Sequence, residues 1–113
     1  MKLIDLINKI KHSDDKCRID DLSLRFYENG NLFSIGNYQD EVEHGEWKYF
    51  HENGNLRLIG NLKNGKEHGE WKSFHENGGG LCSIGNYENG IEYGEWKFFD
   101  EDGNLEEIVD WKN

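Results

Sequence analysis

From about Asp21 onward, apolar and polar residues alternate in short runs, and the runs recur. Trp47, Trp71 and Trp96 are spaced by 24 and 25 residues, and Phe26, Phe50, Phe74 and Phe99 keep the same interval. Leu32, Leu56, Leu81 and Leu105 follow it, as do Ile35, Ile59, Ile84 and Ile108. Gly36, Gly60 and Gly85 do likewise, with Val109 in the last copy. Self-similarity at a fixed interval marks an array of small units, none of which can bury its apolar face alone. Four units cover about Asp21–Trp111, with bounds near 21–44, 45–68, 69–93 and 94–113.

The punctuation inside a unit predicts hairpins. "ENGN" at 28–31 and 52–55 sets Asn-Gly between two apolar-aromatic runs, and Asp102-Gly103 does the same in the last unit. Such a pair is the strongest short-range hairpin signal. A second turn falls at "KNGKEHG" (63–69) and "ENGIEYG" (88–94). Each unit is thus two strands of about six to eight residues, giving roughly eight in an up-and-down meander. A turn centred on Asn53-Gly54 sets His51 opposite Leu56, Tyr49 opposite Leu58 and Trp47 opposite Gly60. The indole of Trp47 is then expected to cover backbone that Gly60 leaves bare. Side chains alternate faces, so Trp47 and Leu56 share one face while Phe50 and Ile59 share the other. With recurring apolar positions on both faces, the expected fold is mainly β: an elongated, strongly twisted single antiparallel sheet of four stacked hairpins.

Two stretches depart from the beat. The third unit reads "ENGGGL", one residue longer than "ENGNL", so the extra glycine in Gly78-Gly79-Gly80 lengthens that loop and leaves Leu81 in register. In residues 2–12, Leu3, Leu6, Ile7 and Ile10 fall at helical spacing opposite Asp5, Lys9 and Lys11. That pattern predicts a short amphipathic helix, in an N-terminal segment 1–18, that caps the open end of the sheet. Dimerisation or partner binding through this helix is the competing reading.

Composition sharpens the picture. Only 35% of the chain is hydrophobic yet 13% is aromatic, which suits a thin structure held by a few large rings. Pro is absent and Gly numbers 14, leaving the turns to glycine and asparagine chemistry. A net charge of −10 argues against nucleic acid and anionic membranes as ligands and favours a basic partner. Cys17 and Cys82 stand alone without metal or disulfide spacing, and no apolar run has signal-peptide or membrane-span length. A cytoplasmic protein without a cofactor is the expectation.

"NGKEHGEW" (64–71), with Gly60 upstream and Gly78 downstream, resembles the MORN repeat. The copies are most similar to its bacterial variant, in which Gly-x-Trp-x-x-(Phe/Tyr) precedes an E-N-G turn and a second N-G turn follows. The likeness covers about 90 of the 113 residues. It implies a row of β-hairpins in a curved sheet. Many bacterial members are labelled antitoxins or immunity proteins, whereas eukaryotic arrays are linked to membrane lipids and scaffolding. The first unit departs from the pattern, with Ser23 in place of Trp and "QDE" (39–41) in place of the N-G turn, and the last is truncated at Trp111–Asn113.

Catalysis finds no support in the residues: there is no nucleophile motif, phosphate loop or HExxH pair. His44, His51, His68 and His75 invite a metal reading, but equivalent positions in adjacent units lie about 9–10 Å apart. Zinc ligands at about 2 Å crowd far closer. Tyr93 and Asp100 also replace histidine in the last copy.

Binding remains, and it should use positions that vary between units, because Trp, Phe, Leu, Ile and Gly build the scaffold. The cross-strand pair Tyr49/Leu58 becomes Ser73/Ser83 and then Phe98/Glu107. Beside it run two acidic columns, Glu46, Glu70 and Glu95, and Glu43, Glu67 and Glu92. The leading expectation is a non-enzymatic protein-binding module for a basic partner; the family resemblance implies an antitoxin or immunity role against a toxin. Carbohydrate or cell-wall binding through stacked tryptophans is a second reading, and an oligomeric scaffold a third. Oligomeric state is open at this point.

Overall fold

The computed structural model describes residues 22–112. Eight strands follow one another: β1 (Leu22–Phe26), β2 (Leu32–Gln39), β3 (Val42–Phe50), β4 (Leu56–Lys63), β5 (Lys66–Phe74), β6 (Leu81–Glu88), β7 (Ile91–Phe99) and β8 (Leu105–Trp111). They form one sheet in the order β1 to β8, every neighbouring pair antiparallel. This is the single-sheet meander that the repeat predicts. The helix expected over residues 2–12, with its capping role, lies outside the described residues.

Two turn types alternate along the chain. The turns between units have two central residues with positive φ: Asn64 (54°) with Gly65 (79°), and Asn89 (53°) with Gly90 (82°). Such mirror-image turns match the twist of the strands they join. The first unit has Asp40-Glu41 in place of Asn-Gly at this second turn, yet makes the same turn, with Asp40 at 52° and Glu41 at 67°. Each later turn also docks on its predecessor. The Gly65 N–H donates to the Glu43 carbonyl and the Gly90 N–H to the Glu67 carbonyl, both at 3.0 Å.

The "ENGN" turn is one residue wider than a two-residue Asn-Gly loop. His51 N–H donates to the Asn55 carbonyl, and Gly54 N–H returns to the His51 carbonyl, with Gly54 at a φ of 95°. The strands are therefore paired Tyr49 to Leu58 and Trp47 to Gly60, as expected, but Phe50 rather than His51 faces Leu56. Arg57 is the residue left over. The same bulge recurs at Phe33, Cys82 and Glu106, the positions skipped in the three other hairpins. The extra glycine is absorbed in the turn: His75 N–H reaches on to Gly80, and Phe74 still faces Leu81.

Although both faces carry apolar positions, the core lies on one. Trp47, Trp71 and Trp96 are 2%, 4% and 7% exposed. Their cover is a ribbon of rings. Tyr38 meets Trp47 edge-on at 5.6 Å, and Tyr87 meets Trp71 at 6.2 Å and Trp96 at 5.1 Å. Tyr49 and Phe98 stack on the indoles of their own strands at 6.2 and 6.4 Å. Leu62 fills the corresponding place between Trp47 and Trp71.

The glycine beneath each indole is not the one the hairpin register suggests. A Cβ on Gly36 would lie 2.0 Å from Trp47, one on Gly60 2.0 Å from Trp71, and one on Gly85 1.9 Å from Trp96. Each indole thus leans back across the junction onto the preceding unit. Its N–H donates to the carbonyl beside that glycine, on Asn37, Asn61 and Asn86 respectively, at 3.0–3.1 Å. The two exceptions in the repeat now have a cause. Among the described residues no later unit supplies a tryptophan to lie over Val109, and no earlier unit supplies a glycine for a tryptophan at Ser23 to lie on.

A second stitch runs along the "ENGN" edge. The Tyr27 hydroxyl donates to the Phe50 carbonyl at 2.6 Å, and the Nε2 nitrogens of His51 and His75 sit 2.9 and 3.1 Å from the carbonyls of Phe74 and Phe99. A carbonyl only accepts, so both rings carry hydrogen on Nε2. Asn29 and Asn31 donate to the Glu52 carbonyl, and Asn53 and Asn55 to that of Glu76. Asp100, in the last unit, turns to its own loop and accepts from the Asp102 and Asn104 N–H groups. Those bonds, the Asn104 N–H foremost, hold its carboxyl below the usual carboxylate range. Tyr27→Phe is expected to cost about 0.5–1.5 kcal/mol, the usual net value of one such bond. Urea melts would read the loss; an unchanged midpoint would make this stitch dispensable.

Candidate functional site

Strand alternation sorts the candidate residues onto two faces. The Trp face carries Tyr49, Leu58, Ser73, Ser83 and Phe98, which lie directly opposite one another in the pairs Tyr49–Leu58, Leu58–Ser73, Ser73–Ser83 and Ser83–Phe98. They form one row across the sheet. Glu43, Glu67 and Glu92 share that face, in register with Tyr38, Leu62 and Tyr87.

Glu46, Glu70 and Glu95 do not join them. They alternate with Trp47, Trp71 and Trp96 and so project from the reverse face. There each carboxylate meets the lysine two residues on, Lys48, Lys72 or Lys97, at 4.0, 3.7 and 3.8 Å. These pairs are half exposed and each contributes little to stability. They do balance the charge of that column. On the same face, Leu24, Ile35, Lys48, Ile59, Lys72, Ile84, Lys97 and Ile108 are paired into one continuous cross-strand row.

The acidic character of the Trp face shows in its phenols. Burial first, and then the Glu43 and Glu67 carboxylates, push Tyr49 above its ordinary range, against Arg25 and Arg57. Burial, Glu92 and Glu67 do the same to Tyr87. One carboxylate, Glu67, therefore reaches tyrosines of two units. The serines in the middle of the row are satisfied by each other, with Ser73 and Ser83 hydroxyls 2.5 Å apart.

The bulges add residues that sequence reasoning passed over. Phe33 meets Tyr27 at 5.1 Å and Tyr49 at 6.2 Å, and the Arg57 guanidinium lies 5.8 and 5.9 Å from the Phe33 and Tyr49 rings. Arg57 Nε is buried without a hydrogen-bond partner, its charge held over ring faces instead. Tyr27, Phe33, His51, Glu52, Arg57 and Glu76 line a shallow hollow at this end of the Trp face. The bulges place Phe33 and Arg57 against Tyr49 of the variable row. Its signal in the sequence was the drift Phe33, Arg57, Cys82, Glu106 at a fixed place after each turn.

The histidines are accounted for separately. His51 and His75 stitch neighbouring units, while His44 and His68 are exposed on the reverse face opposite Asn37 and Asn61. Among the described residues, no three His, Cys, Asp or Glu are grouped to hold a metal ion. No described helix is long and apolar enough to cross a membrane.

A one-sheet array of stitched hairpins with a buried tryptophan at each junction is a repeat scaffold that presents its variable residues in rows. The MORN repeat variant model matches at residues 22–40, 43–64, 67–89 and 92–113, and the chain belongs to that family. No curated protein gives a significant match. Among solved structures, the "Glycosylation Associate Protein (Gap123) complex from Streptococcus agalactiae" superposes with a TM-score of 0.46 at 19% identity. That superposition covers 82% of this chain and 17% of the other, so the chain spans a small part of that protein's length.

Proposed function

We propose that the chain is a non-enzymatic protein-binding module that engages a basic protein across its Trp face. The observation that carries this is the coincidence, on one face, of the Glu43, Glu67 and Glu92 column with the row of variable residues. Carboxylates one unit apart lie at about 10 Å, beyond the roughly 8 Å screening length of physiological salt, so their mutual repulsion is small. A cationic surface laid along the column meets all of them at once, which steers its approach, and Tyr49, Arg57 and Phe98 supply anchors of the kinds that dominate interfaces.

The family resemblance supports an antitoxin or immunity role for the chain, with a basic toxin encoded beside it as the partner. Titration calorimetry with the purified product of the adjacent gene tests both levels. Binding should weaken about tenfold or more in the Glu43→Gln, Glu67→Gln, Glu92→Gln triple variant, and should weaken with added salt. Undiminished binding by the triple variant would move the interface to another face. Failure of the chain to restore growth to cells expressing that neighbour would remove the antitoxin reading.

The carbohydrate reading loses its main support. Stacking platforms must be open, and the three repeat tryptophans are buried beneath tyrosine and phenylalanine rings.

A further inference from the structure

Every interior junction between units has the same construction: the last strand of one unit receives the first strand of the next. At these junctions Ser34, Leu58 and Ser83 face Tyr49, Ser73 and Phe98, and Ile35, Ile59 and Ile84 face Lys48, Lys72 and Lys97. The sheet then stops with β8 at one side and β1 at the other, and neither has an outer neighbour among the described residues. The β8 edge leaves large apolar side chains open between its acidic ones: Leu105 and Ile108 are 50% exposed and Trp111 43%.

Extending the register by one more junction brings the two ends of the array together. Glu107 occupies the place of Ser83, and Arg25 the place of Phe98, so an acidic and a basic residue become directly opposite. Both are exposed in the single chain. Ile108 then faces Leu24, two apolar residues where the interior junctions set isoleucine against lysine. Val109 stands where the interior junctions need glycine, and Ser23 where they carry the tryptophan that requires it. A valine under a tryptophan would clash, whereas a valine beside a serine does not. The two departures from the repeat thus cancel when the ends meet.

We propose that the β8 edge of one copy receives the β1 edge of a second copy, head to tail, with Glu107 opposite Arg25. Charge also selects this arrangement. β8 carries Glu106, Glu107 and Asp110, so two β8 edges repel each other, while a strand bearing Arg25 is attracted. The contact is heterologous, and repetition of it builds a chain of copies or, if the rotation closes, a ring. It is weaker than an interior junction. Asp100 is an acceptor where Tyr27, His51 and His75 supply donors, so the stitch to the next unit's carbonyl is missing.

Sedimentation of the full chain over a wide concentration range tests this. The mass should rise with concentration, and Arg25→Glu or Glu107→Arg alone should weaken the association about tenfold or more, with the circular dichroism and melting of the single copy unchanged. The double variant Arg25→Glu/Glu107→Arg should restore it, because every junction then has the pair reversed. A native chain that stays monomeric throughout would overturn the proposal. So would association that survives both single reversals, or a double variant that remains dissociated although folded.

Discussion

Gly60→Ala should be among the most damaging single substitutions in this protein, although it adds one methyl group in a strand. The backbone of Gly60 has no need of positive φ, so the alanine itself is favoured by conformational entropy by roughly 0.5–1 kcal/mol. Against that stands the Trp71 ring, 2.0 Å from the added carbon. The ring cannot step aside, because Tyr87 lies against it and its N–H is tied to the Asn61 carbonyl. Overpacking of a rigid site costs typically 1–3 kcal/mol, and this contact belongs at or above the upper end. A net loss of about 3 kcal/mol would lower the melting temperature by roughly 10–20 °C in a domain of this size. Val109→Ala, at the matching place with no indole above it, is the control and should shift the melt far less. Equal melting of Gly60→Ala and the parent would mean that the indole rests elsewhere.

Trp71→Ala should be more severe still, at about 3–5 kcal/mol for a buried aromatic truncated to alanine. That is a large share of the 5–15 kcal/mol that stabilises an ordinary domain. Position matters as much as size. In an array where each unit touches only its neighbours, the loss of one junction divides the array there. Trp71 ties β5 to β4 and lies beneath Tyr87, so its removal exposes Gly60, takes the indole donor from the Asn61 carbonyl and loosens the middle of the sheet. Trp96→Ala removes the same chemistry from an end, and should release β7 and β8 while β2–β5 keep their amide protection. Hydrogen exchange would separate the two patterns; uniform loss of protection in both variants would show that the sheet unfolds as one unit.

The division of labour between neighbours also explains which parts of the chain could be read beforehand. Strand positions, the meander and the pairing of Trp47 with Gly60 and Tyr49 with Leu58 followed from spacing and Asn-Gly turns alone, because both are local signals. The placement of Phe50 opposite Leu56 did not follow. It depends on whether "ENGN" closes as a two-residue or a wider turn, and that shifts one residue, Arg57, out of the ladder and toward the variable row. The two acidic columns looked adjacent in a list of positions. Alternation within one strand, applied to Glu43 and Glu46, puts them on opposite sides of the sheet, and only the first remains with the aromatic residues.

Read alone, the sequence determined the number of units, their strand content and the residues each unit repeats, because a hairpin is specified within about two dozen residues. What each repeated residue touches was decided by the tertiary structure. An indole is large enough to reach past its own hairpin, and the bare backbone it meets lies in the unit before. Trp47 therefore rests on Gly36 rather than on Gly60, and the residue that marks each hairpin in the sequence is the bond between hairpins in the fold.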